Sequence, residues 1–306
     1  MTANNSAPAR ESSPKPAAQA GTIAIGGDLR VNRMGYGSMR ITGPGIWGPP
    51  ADRAEAIRVL RRAVELGVDF IDTADSYGPH VSEEIIAEAL HPYPSGLVIA
   101  TKGGLERPGP DKWTPNGRPE YLRKALDGSL KRLKLERIDL WQLHRIDDKV
   151  PQGEQFGVLA DFIREGKVRN VGLSEADTEQ INAARKVVPI VSVQNRYNIV
   201  DREWDAEVDY CAAEGLAFIP WFPLVAGKLE DADQAAITAR RIEAIAKRHG
   251  ANPMQVALAW LLARSPAMLV IPGTSKVAHL EENVRAAELE LSDEEIESLT
   301  GIVPQS

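Results

Sequence analysis

The sequence has little of several features that define particular protein classes. Cys211 is the only cysteine among 306 residues, so no internal disulfide can form and a reducing compartment is expected. No apolar stretch approaches the ~18 residues that a membrane-spanning helix needs. The 36 basic and 43 acidic residues give a net charge of −7, which argues against nucleic acid as a partner, because such proteins carry a basic face. We therefore expect a cytoplasmic protein that acts on a small molecule.

The first twenty residues also lack the apolar core of a secretory signal. They are rich in Ala, Pro, Ser and Asn, which predicts a disordered tail over residues 1–20. Hydrophobic residues make up 43% of the chain and charged residues 26%, a composition typical of soluble globular proteins. We expect one folded domain over residues 21–306, and we assign no metal-binding residues.

Short apolar segments alternate with helical patterns along most of the chain. Strands at 22–25 and 29–31 flank a glycine-containing turn, which predicts a β-hairpin. Eight further strands are expected near 34–36, 68–71, 97–101, 138–142, 168–173, 190–194, 216–220 and 268–271. The helices that follow them are expected at 53–66, 82–90, 119–134, 153–165, 177–187, 203–214, 253–264 and 277–287. Eight βα units in roughly 250 residues predict an α/β protein with a (β/α)8 TIM barrel, and two extra helices fit at 234–249 and 292–300.

A doubly wound open sheet is the competing architecture for an alternating βα pattern. Its dinucleotide fingerprint is G-x-G-x-x-G between the first strand and the first helix. Here Gly35 and Gly37 are present, but Arg40 stands where the third glycine would be. The barrel is therefore favoured.

Four side chains with complementary chemistry follow three successive strands of this pattern. Asp72 and Tyr77 follow the second strand of the barrel, Lys102 ends the third, and His144 ends the fourth. The carboxyl ends of parallel strands form one rim of a barrel, and catalytic residues lie there. Each residue alone has an ordinary structural explanation, so the joint placement is what indicates a catalytic site.

The four side chains suggest a division of labour in carbonyl reduction. A phenol has an unperturbed pKa of about 10, and we expect Lys102 to lower the pKa of Tyr77 while Asp72 holds Lys102 in an ion pair. Tyr77 then acts as the general acid for reduction and the base for oxidation, and His144 polarises the carbonyl oxygen by a hydrogen bond. None of these groups supplies hydride, so a nicotinamide cofactor is needed.

The motif Asp72-Thr73-Ala74-x-x-Tyr77, followed by Lys102 and His144, resembles the catalytic tetrad of the aldo-keto reductases. The resemblance runs from about residue 22 to 301, which is nearly the whole chain. Further matching segments lie at 171–174, 193–198, 271–276 and 282–283.

The resemblance implies NADPH as the cofactor, with NADH as the alternative. It assigns the nicotinamide carboxamide to Ser174 and Gln194, and the stacking position on the nicotinamide face to Trp221. The other implied cofactor contacts are Gly37, Ser38, Met39, Asp72, Phe222, Pro223, Leu224, Gly227, Lys228, Gly273, Thr274, Ser275, Lys276, His279, Glu282 and Asn283. Barrels commonly bind phosphate in the loops after strands seven and eight, which agrees with this placement.

Two positions depart from the family pattern. Glu175 stands where many members have asparagine, and His279 stands where NADPH-preferring members often have arginine. Lys276 and Arg285 are the remaining cations for a 2′-phosphate. A lysine is a point charge and neutralises phosphate less well than a bidentate guanidinium.

The substrate is expected to be an aromatic aldehyde. Four segments, at 43–50, 77–81, 222–224 and 277–283, resemble the branch of the family that contains bacterial pyridoxal reductases. Such an aldehyde would stack among Trp47, Trp113 and Trp221, and His80 would hydrogen-bond its polar substituents. A bulkier ketone, such as a 3-keto trichothecene or another terpenoid, is the alternative substrate.

Two other functional classes stay open from the sequence. A lysine at a strand end can form a Schiff base, as in aldolases, and Lys102 would then be the nucleophile. Some aldo-keto barrels resemble potassium-channel β-subunits, which bind NADPH and act mainly as partners. We expect a monomer or a weak homo-oligomer.

Overall fold

The computed structural model describes residues 14–224 and 232–301 of the chain. The strands are β1 Thr22–Ile25, β2 Leu29–Asn32, β3 Tyr36–Gly37, β4 Phe70–Asp72, β5 Val98–Gly103, β6 Leu105–Gly109, β7 Lys112–Pro115, β8 Ile138–Leu143, β9 Val168–Ser174, β10 Ile190–Gln194 and β11 Ala217–Phe218. The α-helices are α1 Arg53–Glu65, α2 Val81–Leu90, α3 Pro119–Leu133, α4 Gln152–Arg164, α5 Thr178–Arg185, α6 Asp205–Glu214, α7 Ala232–His249, α8 Pro253–Arg264, α9 Val277–Arg285 and α10 Asp293–Thr300. Short 3-10 helices lie at Pro16–Ala20, Ser38–Ile41, Pro44–Ile46 and Ala286–Glu288.

Seven parallel strands form one curled sheet in the order β3, β4, β5, β8, β9, β10, β11. The segment at 268–270 lies between the two edges. It makes single parallel bridges from Met268 to Phe218 and from Val270 to Met34. The predicted eighth strand is thus reduced to isolated bridges, yet it closes the sheet. The predicted (β/α)8 barrel is confirmed, and the helices expected at 234–249 and 292–300 correspond to α7 and α10.

The apolar side chains separate into two layers because successive residues of a strand face opposite sides. Phe70, Val98 and Leu140 point into the barrel, where they pack with residues of the β1–β2 hairpin such as Leu29. The neighbouring Ile71, Ile99 and Trp141 belong to the larger layer between the sheet and its helices. The predicted hairpin therefore exists, and its apolar face closes the amino-terminal end of the barrel.

Local signals in the sequence set several helix boundaries. The side chain of Asp52 accepts a hydrogen bond from the Glu55 amide at the start of α1, as a capping residue should. Ser292 and Glu295 form a reciprocal capping box at the start of α10. Cys211 is buried, and burial raises the pKa of its thiol to about 12, so it is an unreactive core residue.

Two features differ from the sequence predictions. Pro16–Ala20 forms a 3-10 helix with Ala17 and Ala20 buried, so the prediction of disorder over residues 1–20 is wrong at its carboxyl end; residues 1–13 lie outside the described ranges. An antiparallel hairpin, β6–β7, also follows β5 where only a loop was expected. Within the described ranges, no helix combines the length and apolarity needed to cross a bilayer.

Candidate active site

The catalytic rim follows directly from the two-residue period of the strands. Phe70 on β4 faces the barrel interior, so Asp72 two residues later faces it too. Ala100 on β5 also faces inward, which places Lys102 on the inner face beside Asp72. Both polar side chains are nearly inaccessible, with relative exposures of 2% for Asp72 and 0% for Lys102. A lysine this deeply buried needs partners for its charge.

Lys102 finds those partners within the site. Its Nζ lies 2.6 Å from Asp72 Oδ2, 2.8 Å from the Thr73 carbonyl oxygen and 3.4 Å from the Tyr77 hydroxyl. Burial disfavours its ammonium form, but Asp72 and Tyr77 outweigh burial and raise the pKa of Lys102. The amine therefore stays protonated next to the phenol.

Asp72 is held on its other oxygen by two amides. Its Oδ1 accepts hydrogen bonds from Gln194 Nε2 at 2.9 Å and from Gln142 Nε2 at 3.3 Å. Gln142 was missed in the sequence, although it lies two residues before His144 and on the same face of β8. The carboxylate is thus fixed on both oxygens and cannot turn away from Lys102.

The pKa of Tyr77 differs in direction from the sequence expectation. Burial raises the pKa of the Tyr77 hydroxyl, and the opposing effect of the Lys102 ammonium does not cancel it. The expected net lowering is therefore wrong, since the buried phenol loses more by desolvation than it gains from the cation. At neutral pH Tyr77 carries its proton, as a general acid must.

His144 is neutral in this environment. Burial lowers its pKa well below the ordinary value, and the nearby charges of Lys102, Arg145 and Arg107 lower it further. Its Nδ1 lies 3.3 Å from the Ser76 hydroxyl, and its backbone amide donates to the Gly103 carbonyl. A neutral imidazole with one nitrogen engaged in this way can present the other to a carbonyl oxygen.

Two tryptophans predicted to contact substrate lie on the same side of the site. The Trp113 ring stands edge-on to both Tyr77 and His144, at centroid distances of 6.3 Å each. Trp47 pairs with Gly78, one residue after Tyr77. The guanidinium of Arg107 lies between them, 3.6 Å from the Trp113 ring and 5.7 Å from the Trp47 ring.

The described contacts join the His80 side chain to none of the tetrad residues. His80 lies in the left-handed region with φ of 72° at the N-cap of α2, and the turn stays bonded to the Tyr77 loop, since the Ser82 amide donates to the Tyr77 carbonyl oxygen. His80 lines a cavity of about 370 Å³ together with Asp75, Ser76, Arg107 and Tyr121, and no tetrad residue lines that cavity. The structure thus gives no support to His80 as a substrate contact.

The residues predicted for the nicotinamide form a second group on the rim. Ser174 and Gln194 end the neighbouring strands β9 and β10, where their residues pair. The Ser174 hydroxyl accepts a hydrogen bond from Arg145, which the sequence analysis missed although it directly follows His144. Glu175, the atypical residue, lies at φ of 53° and its carboxylate binds the indole N–H of Trp221. Glu175 therefore orients the predicted stacking residue.

The first loop and the last loop of the barrel cross at Gly37 and Gly273, two of the predicted cofactor contacts. A Cβ on Gly37 would lie 2.6 Å from the Ile271 carbonyl oxygen, and one on Gly273 would lie 2.7 Å from the Gly37 carbonyl oxygen. Only glycine permits this crossing. Ser38 next to it is fully buried, and its hydroxyl binds the Asp72 carbonyl and Ser82, so its side chain is unavailable to a ligand.

The remaining predicted cofactor residues divide by exposure. The exposed ones are Ser275, Lys276, His279 and Glu282. The buried ones are Pro223, Thr274 and Asn283, and the half-buried ones are Met39, Phe222 and Leu224. Gly227 and Lys228 lie outside the described residues. Three of the exposed side chains, Ser275, Lys276 and His279, thus lie at the start of α9, where the Val277 amide donates to the Glu55 carboxylate.

The sequence profile of the aldo/keto reductase family matches residues 33–304. The chain therefore belongs to the aldo/keto reductase family, and the resemblance seen in the sequence is confirmed. It is an oxidoreductase by family. Solved structures of the same fold include an aldo-keto reductase of Klebsiella pneumoniae crystallised with NADPH, which superposes with a TM-score of 0.75 at 24% identity over 93% of this chain and 96% of its own.

Similar proteins agree in fold and in chemical class. An uncharacterized oxidoreductase of Schizosaccharomyces pombe is 52% identical over 92% of this chain and 90% of its own. The pyridoxine 4-dehydrogenase of Escherichia coli is 45% identical over 90% of this chain and 96% of its own. The structure of a glycerol dehydrogenase from Gluconobacter oxydans superposes with a TM-score of 0.83, at 28% identity, over 92% of this chain and 95% of its own.

Proposed function

We propose that this protein is an NADPH-dependent reductase of aldehydes, with Tyr77 as the general acid and pyridoxal or a similar aromatic aldehyde as the substrate. The observation that carries the proposal is the buried contact between the Lys102 ammonium and the Tyr77 hydroxyl, at 3.4 Å. The 45% identity to the pyridoxine 4-dehydrogenase of Escherichia coli supports the substrate class.

The protein groups act on the carbonyl oxygen. When bound, the nicotinamide supplies the hydride. Tyr77 donates its proton to the oxygen as negative charge develops there, and the ammonium of Lys102 stabilises the phenolate that remains. Asp72 keeps Lys102 in place through the 2.6 Å ion pair. Neutral His144 donates a hydrogen bond to the same oxygen.

The pKa values of Tyr77 and His144 fit reduction at neutral pH. Burial raises the pKa of Tyr77, so the proton that reduction requires is present throughout the physiological range. Burial and three nearby cations lower the pKa of His144, so the imidazole remains a neutral hydrogen-bond donor. The oxidation direction needs phenolate, and it is expected to gain rate as the pH rises.

The described residues fit a phosphorylated dinucleotide along the opposite part of the rim. Ser174 and Gln194 present a hydroxyl and an amide side by side, which suits a carboxamide. Lys276 is exposed at the start of α9, and Arg40 lies against the crossing glycine, with its Cγ 3.6 Å from a Cβ built on Gly273. Two cations near a helix N-terminus favour phosphate.

The aromatic walls favour an aromatic substrate. Trp113 stands edge-on to Tyr77, and Trp47 is attached to the same loop through its bridge to Gly78. Arg107 occupies the space between the two indoles, so a planar aldehyde would pack against the free edge of Trp113 beside Tyr77 and present its carbonyl to the phenol. A cytoplasmic location and a monomeric or weakly associating state stay predictions.

The test is consumption of NADPH by the purified protein. Pyridoxal, benzaldehyde, short aliphatic aldehydes and a bulky terpenoid ketone are compared at equal concentrations by loss of absorbance. The proposal predicts the highest kcat/KM for the aromatic aldehydes. A higher kcat/KM for the bulky ketone would show that the substrate is a bulky ketone and not an aromatic aldehyde. Tight NADPH binding without turnover of any carbonyl would favour a cofactor-binding regulatory subunit.

A Schiff-base mechanism makes a different prediction. Lys102 is protonated and enclosed by Asp72, Thr73 and Tyr77, which opposes nucleophilic attack. Borohydride trapping in the presence of aldehyde is therefore expected to leave Lys102 unlabelled. A labelled Lys102 in the peptide map would contradict the reductase mechanism.

A further inference from the structure

Arg107 makes an unusual set of contacts beside the catalytic loop. Its guanidinium donates to the backbone carbonyl oxygens of Gly45 at 2.8 Å, Ile46 at 2.9 Å, Ser76 at 2.8 Å and Lys112 at 2.9 Å. These four carbonyls belong to three segments that are far apart in the chain: the loop after β3, the loop after β4, and the β6–β7 hairpin. One side chain thus joins three loops of the rim.

The chemistry of the contact requires arginine. The Asp111 carboxylate acts on the Arg107 guanidinium through its charge, but the hydrogen bonds of the guanidinium go to carbonyl oxygens. The planar group also stacks on the Trp113 ring at 3.6 Å. A lysine would keep the charge but has neither the fork of donors nor a flat face for stacking.

The backbone at the junction is held in an unfavourable conformation. Ile46 has φ of 54°, which a β-branched residue rarely adopts. Its carbonyl oxygen accepts from both the Gly78 amide and Arg107. Gly48 donates in turn to the Gly78 carbonyl at 2.7 Å. The loop that carries Trp47 is therefore hydrogen-bonded to the loop that carries Tyr77, and Arg107 supplies one of the hydrogen bonds that hold the strained residue.

The same residue is connected to the catalytic groups on two sides. The Ser76 carbonyl is bound to Arg107, while the Ser76 hydroxyl lies 3.3 Å from His144 Nδ1. Trp113, stacked on Arg107, stands edge-on to both Tyr77 and His144. A shift of the guanidinium would move the aromatic wall relative to the proton donor.

We propose that Arg107 is a positioning residue that sets the selectivity for aromatic aldehydes, by clamping the three loops and fixing Trp113 against Tyr77. This inference rests on the proposed reductase function. Arg107 itself does not transfer a proton. Its effect on the reaction passes through the position of Trp113 and of the loop at 74–78.

The test compares Arg107→Lys with a matched control, Arg33→Lys. Arg33 also donates to backbone carbonyls, those of Met268, Leu262 and Ser265, but at the amino-terminal side of the barrel. In Arg107→Lys, the ratio of kcat/KM for benzaldehyde to that for propanal is expected to fall by about ten-fold, mainly through KM. The NADPH dissociation constant of Arg107→Lys is expected to stay within about two-fold of the wild-type value. The ratio of kcat/KM values in Arg33→Lys is also expected to stay within about two-fold of the wild-type ratio.

A double-variant cycle distinguishes positioning from simple loss of structure. If Arg107 acts through Trp113, the effects of Arg107→Lys and Trp113→Phe on selectivity overlap, so the double variant resembles the single variants. Effects that multiply independently would overturn the proposal. An unchanged selectivity ratio in Arg107→Lys would also overturn it.

Amide hydrogen exchange provides a test that needs no turnover. The Gly48 and Gly78 amides, which join the two loops, are expected to exchange at least about ten-fold faster in Arg107→Lys and at the wild-type rate in Arg33→Lys. Equal protection in the two variants would contradict the clamp even if no carbonyl substrate is found. Should Arg107→Lys fail to fold, the same measurements are made on Arg107→Gln, which retains a single planar amide donor group.

Discussion

The two sides of the catalytic rim are built differently. On the side of β4, β5 and β8, the polar groups are buried and bonded to one another, as the contacts of Asp72 to Lys102 and Gln142 show. On the side of α9, Lys276 and His279 are exposed. The polar groups of the first side are held in place by one another, whereas the charged side chains of the second side face solvent.

This difference indicates which side of the rim controls turnover and which side controls cofactor affinity. A preorganised and desolvated acid–ammonium pair acts on the transition state, because its geometry needs no adjustment during the reaction. Exposed cations are screened by solvent and contribute modestly to binding. Substitutions on the first side should therefore change turnover, and substitutions on the second side should change cofactor affinity.

The largest effect is expected from Tyr77→Phe. This change removes the proton donor and keeps the ring, so kcat should fall by ~100-fold or more, equivalent to about 2.7 kcal/mol. NADPH affinity, measured by fluorescence titration, should stay near the wild-type value. A variant with full turnover would remove Tyr77 from the mechanism and with it the distinction between the two sides.

Asp75 is a buried carboxyl group near the tetrad, and its Oδ1 has no hydrogen-bond partner among the described residues. Asp75→Asn tests what the charge of this group does to stability. Burial and the nearby Glu83 raise the pKa of Asp75 well above its ordinary value. Its contribution to stability is therefore present below about pH 3.8 and lost as the pH rises toward the raised pKa. The asparagine of the variant cannot ionise, so this loss should not occur in it.

The expected result is a gain in the free energy of unfolding of about 1–2 kcal/mol at pH 7, measured by urea denaturation. The gain should shrink as the pH is lowered to 4. Asp148→Asn, at an exposed position in the loop after β8, is the control for a charge change alone. Destabilisation at pH 7 would show that the Asp75 carboxylate has a stabilising partner.

The lowered pKa of His144 predicts a pH dependence of stability. Below about pH 6.5 the unfolded chain takes up a proton at this position and the native protein does not. The free energy of unfolding should therefore fall by up to about 1.4 kcal/mol per pH unit relative to His144→Asn. Parallel curves for the two proteins between pH 6.5 and 5 would show that His144 is protonated in the native state.

The smallest effect is expected on the exposed side. Lys276→Ala should weaken NADPH by about 1 kcal/mol or less, roughly five-fold, because an exposed pair contributes little. NADH should bind within about two-fold of the wild-type affinity. Lys186→Ala, an exposed lysine at the end of α5, is the control. Equal loss for both nucleotides would mean that Lys276 does not bind the 2′-phosphate.

The barrel was predictable from the alternation of strands and helices, and the grouping of the four tetrad residues from strand ends that share one rim. Asp72 and Lys102 lie at the carboxyl ends of β4 and β5. The β6–β7 hairpin was not predictable, since Pro108 and Gly109 are typical of loops. The partners of Arg107 are backbone carbonyl oxygens. Every residue has one, so the sequence does not indicate which of them Arg107 binds.

His80 illustrates a different limit. Its closeness to Tyr77 in sequence suggested a shared pocket, but His80 lines a cavity that none of the four tetrad residues lines. The direction of the pKa shift of Tyr77 was also predicted wrongly, because desolvation depends on the packing of the whole rim. The sequence therefore identified residues close to the site, but it did not predict the burial and contacts of each side chain.

The β1–β2 hairpin has a consequence for how molecules reach the catalytic groups. Its residues Ile25, Leu29 and Val31 fill the amino-terminal end of the barrel with apolar side chains. Because that end is filled, the catalytic groups proposed above are approached from the rim at the opposite end. If a cofactor and a carbonyl compound both enter from that rim, the molecule that lies deeper has to bind first and leave last.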